Sequence, residues 1–84
     1  MVTTAEKQLR NILVRELGVN DDEITPNSTL EDLGCDSLDV VEIELSIEEE
    51  VLDGATIDVA ERFECGTSIQ QILGLIDQLK EETR

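Results

Sequence analysis

Apolar side chains recur at helical spacing in three parts of the chain. Leu9, Ile12, Leu13 and Leu17 lie three and four apart and Gly18 follows them, which predicts a first helix over 4–17, opened by a Thr3/Glu6 capping box. Ile69, Ile72, Leu73, Ile76 and Leu79 repeat in the same way, so a last helix is expected from a cap at Thr67 or Ser68 through about residue 81. The middle segment SLDVVEIELSIEEEVL is ambiguous, because Val41 to Ile47 also alternates apolar and polar like a half-buried strand. Helix is the better reading. Val40, Ile43, Ile47 and Val51 form one stripe, Leu38, Val41, Leu45 and Leu52 form a neighbouring one, and Glu48 to Glu50 suit a helix over 37–52 that Asp53 and Gly54 end. Ile57 to Phe63 has room only for a short helix. Residues 19–36 are dense in Asp, Asn, Ser, Thr, Pro and Gly and read as a long ordered loop. Ile24, Leu30 and Leu33 pin that loop on the core, with a helical turn near Leu30. The expected fold is all-α, a small four-helix bundle of three longer helices and one short third helix, in a single domain over 1–84.

Size and charge narrow what such a bundle can do. With 84 residues, one Phe and no Trp or Tyr, the core is small and a large buried active site is disfavoured. The formal net charge is -15, from 21 acidic and 6 basic side chains, and no Lys or Arg occurs between Glu16 and Glu61. That stretch repels nucleic acid and anionic membranes and attracts proteins with basic patches. There is no His, so the commonest general base and metal ligand is missing. Cys35 and Cys65 lack metal-ligand spacing and read as free thiols of a reducing compartment, although a disulfide between them stays open. Residues 21–32 carry acids but not the spaced ligands and central Gly of a calcium loop, so no metal site is expected. No secretory leader or membrane-length run is present, and the reading is a cytoplasmic monomer.

The informative stretch is LGCDSLDVVE, residues 33–42, where a loop turns into an acidic helix at Ser37. Two readings of Ser37 stand side by side. A serine there is ordinarily a helix cap. The same position also suits a phosphodiester, because a helix N-terminus favours an anion and Gly34 gives another protein's active site close approach. Ser37 as a catalytic nucleophile is disfavoured, since the chain has no His or nearby Lys to activate it, and Leu38 and Asp39 stand where a hydrolase elbow has glycine. A modifying enzyme that brings its own base and Mg²⁺ would leave Ser37 a passive acceptor.

LGCDSLDVVEIELSIEEE is very similar to the Asp-Ser-Leu region of type II acyl carrier proteins with its acidic recognition helix, and the resemblance extends over nearly the whole chain. It implies a non-catalytic carrier whose Ser37 receives 4'-phosphopantetheine from coenzyme A through a phosphopantetheinyl transferase, and whose arm holds acyl groups as thioesters. It further implies that Asp36, Leu38, Asp39, Glu42, Glu48 and Glu49 meet the basic docking patches of acyl-chain synthesising and transferring enzymes. Without the resemblance, those acids read as a solvated helix face. Leu45 matches a position at the entrance of the family's acyl pocket, and ordinary core contact explains it equally well. Many fatty-acid carriers have an aromatic after the acidic triplet and then Ile-Pro-Asp. This chain has Val51 and LDGATIDVAERF instead, so a polyketide or specialised lipid pathway competes with fatty-acid synthesis. A peptidyl or aminoacyl carrier, whose motif has Gly before the serine, and an acidic adaptor that carries nothing are the alternatives.

Overall fold

A computed structural model describes residues 4–58 and 62–82. Helix α1 spans Thr4–Leu17, α2 spans Ser37–Glu50 and α3 spans Ile69–Glu82, with short 3-10 turns at Asp21–Glu23 and Glu31–Leu33. Among the described residues the architecture is all-helical, and the only extended pairing is an isolated antiparallel bridge between Thr29 and Ser68. The capping box expected at Thr3 lies outside the described residues, as does the middle of the short helix expected over 57–63. On either side, Ile57, Asp58, Arg62 and Phe63 are not helical.

The sequence stripes become the core. Leu9, Ile12 and Leu13 of α1, Ile43 and Ile47 of α2, and Ile72 and Ile76 of α3 are fully buried together with Leu30 and Ile57. Each such side chain contributes about 1.5–3 kcal/mol of transfer free energy, which is how a domain this small offsets its chain entropy. Helix α1 lies against both α2 and α3. Its polar side also clasps the end of α2: Arg15 Nη2 is 2.6 Å from Glu50 Oε2, and Gln8 Nε2 donates to the Glu50 carbonyl at 3.2 Å.

One boundary differs from expectation. Helix α2 ends at Glu50 rather than 52, because the chain turns over there: both Val51 and Leu52 donate to the Ile47 carbonyl, Asp53 takes φ +53°, and Gly54 donates back to Glu48. Leu52 thereby leaves the helix yet stays buried, while Leu38, Val41 and Leu45 of the same expected stripe face solvent. Of the two caps expected for the last helix, Ser68 is the one used. Ser68 Oγ accepts the Gln71 amide (3.2 Å) and Gln71 Oε1 accepts the Ser68 amide (2.9 Å), a reciprocal pair that satisfies both groups.

The long loop is ordered as expected. Ile24, Leu30 and Leu33 are buried. Backbone bonds stitch it to the start of α3: Leu30 donates to Thr67, Glu31 to Cys65, Ile69 to Ser28 and Gln70 to Pro26. The last two use loop carbonyls to satisfy amides that a helix N-terminus leaves open. This seam fixes where the loop delivers residues 34–37.

Candidate functional site

The chain reaches Ser37 through a tight turn. Gly34 has φ +86° at the end of the 3-10 turn and donates to the Glu31 carbonyl. A Cβ built there meets no atom within 4 Å, so the left-handed conformation, not space within the chain, is what calls for glycine. Cys35 then bonds back to Leu30, and Asp36 adopts an extended conformation (φ -110°, ψ -177°) that starts the helix.

Asp36, not Ser37, is the cap. Asp36 Oδ1 accepts the Asp39 amide at 2.9 Å, and Asp39 Oδ2 accepts the Asp36 amide at 3.2 Å. This corrects the capping reading of Ser37 and changes its chemistry. As the first residue of α2, Ser37 is exposed and its hydroxyl has no hydrogen bond among the described residues. The Asp39 amide is already used, so of the first-turn donors those of Ser37 and Leu38 are left for an anion at the hydroxyl.

Beside Ser37 a cavity of about 390 Å³ opens between the start of α2 and the segment before α3, lined by Ser37, Val40, Phe63, Glu64, Cys65 and Gly66. Cys65 is half-buried there, and Cys35 is buried behind it. Burial pushes the Cys35 thiol up to about 12, with Cys65, Asp39 and Asp36 adding to the rise. A thiol so poorly ionised is a weak nucleophile at neutral pH. The exposed Ser37 hydroxyl and the room beside it fit a covalently attached phosphate-linked arm, and the amides of Ser37 and Leu38 are the first-turn donors not used within the described residues.

Helix α2 shows two different faces around this point. On the outside, Leu38 (75% exposed), Val41 (46%) and Leu45 (54%) stand with the exposed acids Glu42 and Glu49. Leu38, Glu42, Leu45 and Glu49 follow one another at helical spacing, so they share a face. Asp36 and Asp39 sit at its upper end in the capping pair. Leu45 is therefore neither in the core nor among the residues that line the cavity. Glu48 is turned elsewhere. It is half-buried and its Oε2 accepts the Ile57 amide at 2.7 Å.

One residue at the site was not singled out from sequence. Glu44 is 4% exposed, the only buried charged side chain among the described residues. Its Oε2 accepts the Phe63 amide (3.2 Å) and its Oε1 lies 3.6 Å from Arg62 Nη1. Burial raises the Glu44 carboxyl above its ordinary value, the Phe63 amide and Arg62 pull it back, and Glu48 raises it further. The signal was present in the spacing: Glu44 follows Val40 by four residues and precedes Ile47 by three, squarely in the core stripe. Arg62, the exposed cation that ends the acidic run, thus pairs with this buried carboxylate.

The sequence pattern of a family described as a phosphopantetheine attachment site matches residues 7–76. The match spans most of α1, the whole loop, α2 and the first half of α3.

Proposed function

We propose a function from one premise: the chain belongs to this family of carrier proteins, whose domain bears a covalently attached 4'-phosphopantetheine. In our reading the chain carries acyl intermediates as thioesters on that arm, attached at Ser37, and delivers them to the enzymes of fatty-acid, polyketide or specialised lipid synthesis, with no catalysis of its own. The observation that carries the reading is that Asp36 takes over the capping role, which leaves the Ser37 hydroxyl exposed and unengaged at a helix start beside a cavity. The cofactor supplies the thiol. The protein's own part is to present one hydroxyl to a phosphopantetheinyl transferase and to keep the surroundings chemically quiet. Neither the poorly ionised Cys35 nor any His competes for cargo.

The outer face of α2 is the docking surface in this account. Exposed Leu38, Val41 and Leu45 offer apolar contact within a ring of carboxylates. The cations Arg10, Arg15 and Arg62 are drawn into ion pairs with the chain's own acids, so this face keeps its negative field. Such a surface favours fast, salt-sensitive encounters with basic patches, which suits a monomeric carrier that visits several partners in the cytoplasm. Asp36 and Asp39 belong to this group with a difference, since their carboxylates also cap the helix, whereas Glu48, expected there from the resemblance, holds the Ile57 amide on the inner side.

The test is to load the apo protein from an acyl-coenzyme A with a broad-specificity transferase and Mg²⁺, then treat it with hydroxylamine. A carrier gains the whole acylated arm and hydroxylamine removes the acyl group alone. A protein that gains no mass, or whose added group resists hydroxylamine entirely, is not an acyl-thioester carrier.

A further inference from the structure

Two thiols that the carrier function does not use meet beside Ser37. Cys35 lies two residues before Ser37, and Cys65 lines the cavity next to it. The backbone brings them together from opposite sides of one seam. The Leu30 carbonyl accepts the Cys35 amide at 3.0 Å, and the next residue, Glu31, donates its amide to the Cys65 carbonyl at 2.7 Å. Leu30 itself donates to the Thr67 carbonyl at 3.2 Å, so residues 30 and 31 hold the segments of both cysteines. Across that seam the side chains touch, with Cys65 a hydrogen-bond partner of the Cys35 thiol.

The two thiols differ in access. Cys35 is 7% exposed, and its Sγ also donates to the Asp36 carbonyl at 3.4 Å. Cys65 is half-buried and borders the opening beside Ser37, so a reagent from solvent reaches Cys65 first. Cys35 is shielded from that reagent but not from its neighbour. Metal binding does not explain the pair, because among the described residues no group of three His, Cys, Asp or Glu could hold an ion. One accessible thiol backed by one buried thiol is the arrangement in which the first reacts and the second resolves.

We infer that Cys35 and Cys65 are a redox-active pair that closes to an intramolecular disulfide under a small-molecule disulfide such as oxidised glutathione, clasping the segment before α3 to the turn that delivers Ser37. The Cys65 thiolate attacks one sulfur of the oxidant and expels one glutathione thiolate, which leaves a mixed disulfide on Cys65. The Cys35 sulfur, once deprotonated, attacks the Cys65 sulfur and expels the second glutathione thiolate. Two protein thiols are oxidised to one disulfide, one glutathione disulfide is reduced to two thiols, and the expelled thiolates take up the protons that the cysteines release. Because burial keeps Cys35 poorly ionised, the second step is the slow one and accelerates as pH rises. The bond closes the stretch from Cys35 to Cys65, which contains all of α2, and reduced glutathione reopens it. The pair requires neither an arm nor a cargo and stands apart from the carrier reading.

The experiment equilibrates the full chain, shown by intact mass to bear no arm, with mixtures of oxidised and reduced glutathione at mildly alkaline pH, once folded and once unfolded in urea. Intact mass reads the loss of two hydrogens per chain. Arg62 lies between the cysteines, so trypsin puts them on different peptides, and a linked pair that dithiothreitol separates locates the bond. The equilibrium constant for closing the disulfide is expected to be about thirtyfold or more larger in the folded chain than in the unfolded one, the low end of what a native disulfide contributes to stability. Cys35→Ser should stop at a glutathione adduct on Cys65, and Cys65→Ser should leave the folded chain unmodified. The wild-type chain decides by itself, so a variant that fails to fold does not rescue the inference. A constant no larger in the folded chain, a wild type that stops at the adduct on Cys65, or one that stays reduced overturns it while leaving the carrier function intact. A chain that gains no arm from the transferase overturns the carrier reading and leaves the pair standing.

Discussion

The two faces of α2 contain nearly the same residue types and do opposite work. Inside, Val40, Ile43 and Ile47 are buried in the core while Glu44 and Glu48 accept the backbone amides of Phe63 and Ile57. Outside, Leu38, Val41 and Leu45 are exposed and Glu42 and Glu49 stand in solvent. The difference teaches that neither hydrophobicity nor charge assigns a role on this helix. A leucine on the outer face is available to a partner, and a glutamate on the inner face ties down a segment that has no helix of its own among its described residues. Stability is concentrated on one side, which leaves the other free to be shaped by recognition.

Substitutions that sharpen this contrast should fall in a clear order. Ile47→Ala removes a fully buried side chain and is expected to cost about 2–5 kcal/mol in urea unfolding, whereas Leu45→Ala, on the opposite, exposed side of the same helix, should stay within about 0.5 kcal/mol. Equal losses at the two positions would break the comparison. Next comes Glu44→Ala, which strands the Phe63 amide and is expected to cost about 1–3 kcal/mol, and faster hydrogen exchange should appear at Phe63 first. Asp36→Ala removes the cap of α2 and should cost about 1 kcal/mol, while Ser37→Ala, whose hydroxyl caps nothing, should cost less than about 0.5 kcal/mol. Circular dichroism melts of the two variants decide between them.

The smallest expected effect is on pH dependence, where two acids of α2, Glu44 on the inner face and Glu50 against α1, differ in sign. Glu44 is raised in the folded state by burial, so the fold favours its protonated form. Its contribution to stability therefore increases as pH falls from above the raised value through the ordinary carboxylate range. Glu50 is lowered, chiefly by the hydrogen bond from Arg15, so its contribution is present above the ordinary carboxylate value and is lost as pH falls through the lowered one. Unfolding midpoints of Glu44→Gln and Glu50→Gln against pH should deviate from the parent in opposite directions. Parallel deviations would contradict the assignment of Glu44 to the interior.

Much of this was legible in the residues, and the exceptions have physical causes. Helices α1 and α3 were readable because each has a single apolar stripe and a recognisable end, Gly18 after α1 and Ser68 before α3. The loop was readable because Ile24, Leu30 and Leu33 are isolated apolar residues in polar sequence and had to be anchored. Helix α2 was harder. It carries two adjacent apolar stripes, and a stripe does not say whether another element covers it, so Leu38, Val41 and Leu45 read like core. Asp36 and Ser37 are both capping residues, and the choice fell to the loop, which delivers Asp36 in the extended conformation that a cap requires. Glu44 was hidden because an acid in a helix is assumed to face out. What turns it inward is a chain segment that needs hydrogen-bond acceptors, and Phe63 does not advertise that need in its side chain.

The measurement that tests the central claim most directly is the location of the arm. The apo protein and its Ser37→Ala variant, both verified as folded, are incubated with coenzyme A, Mg²⁺ and a broad-specificity phosphopantetheinyl transferase, and the products are analysed by intact mass and by sequencing of the modified peptide. The account predicts one phosphopantetheine per chain, on Ser37, and an unmodified variant of unchanged helical content. An arm on any other residue, or a variant that is still loaded, would contradict it.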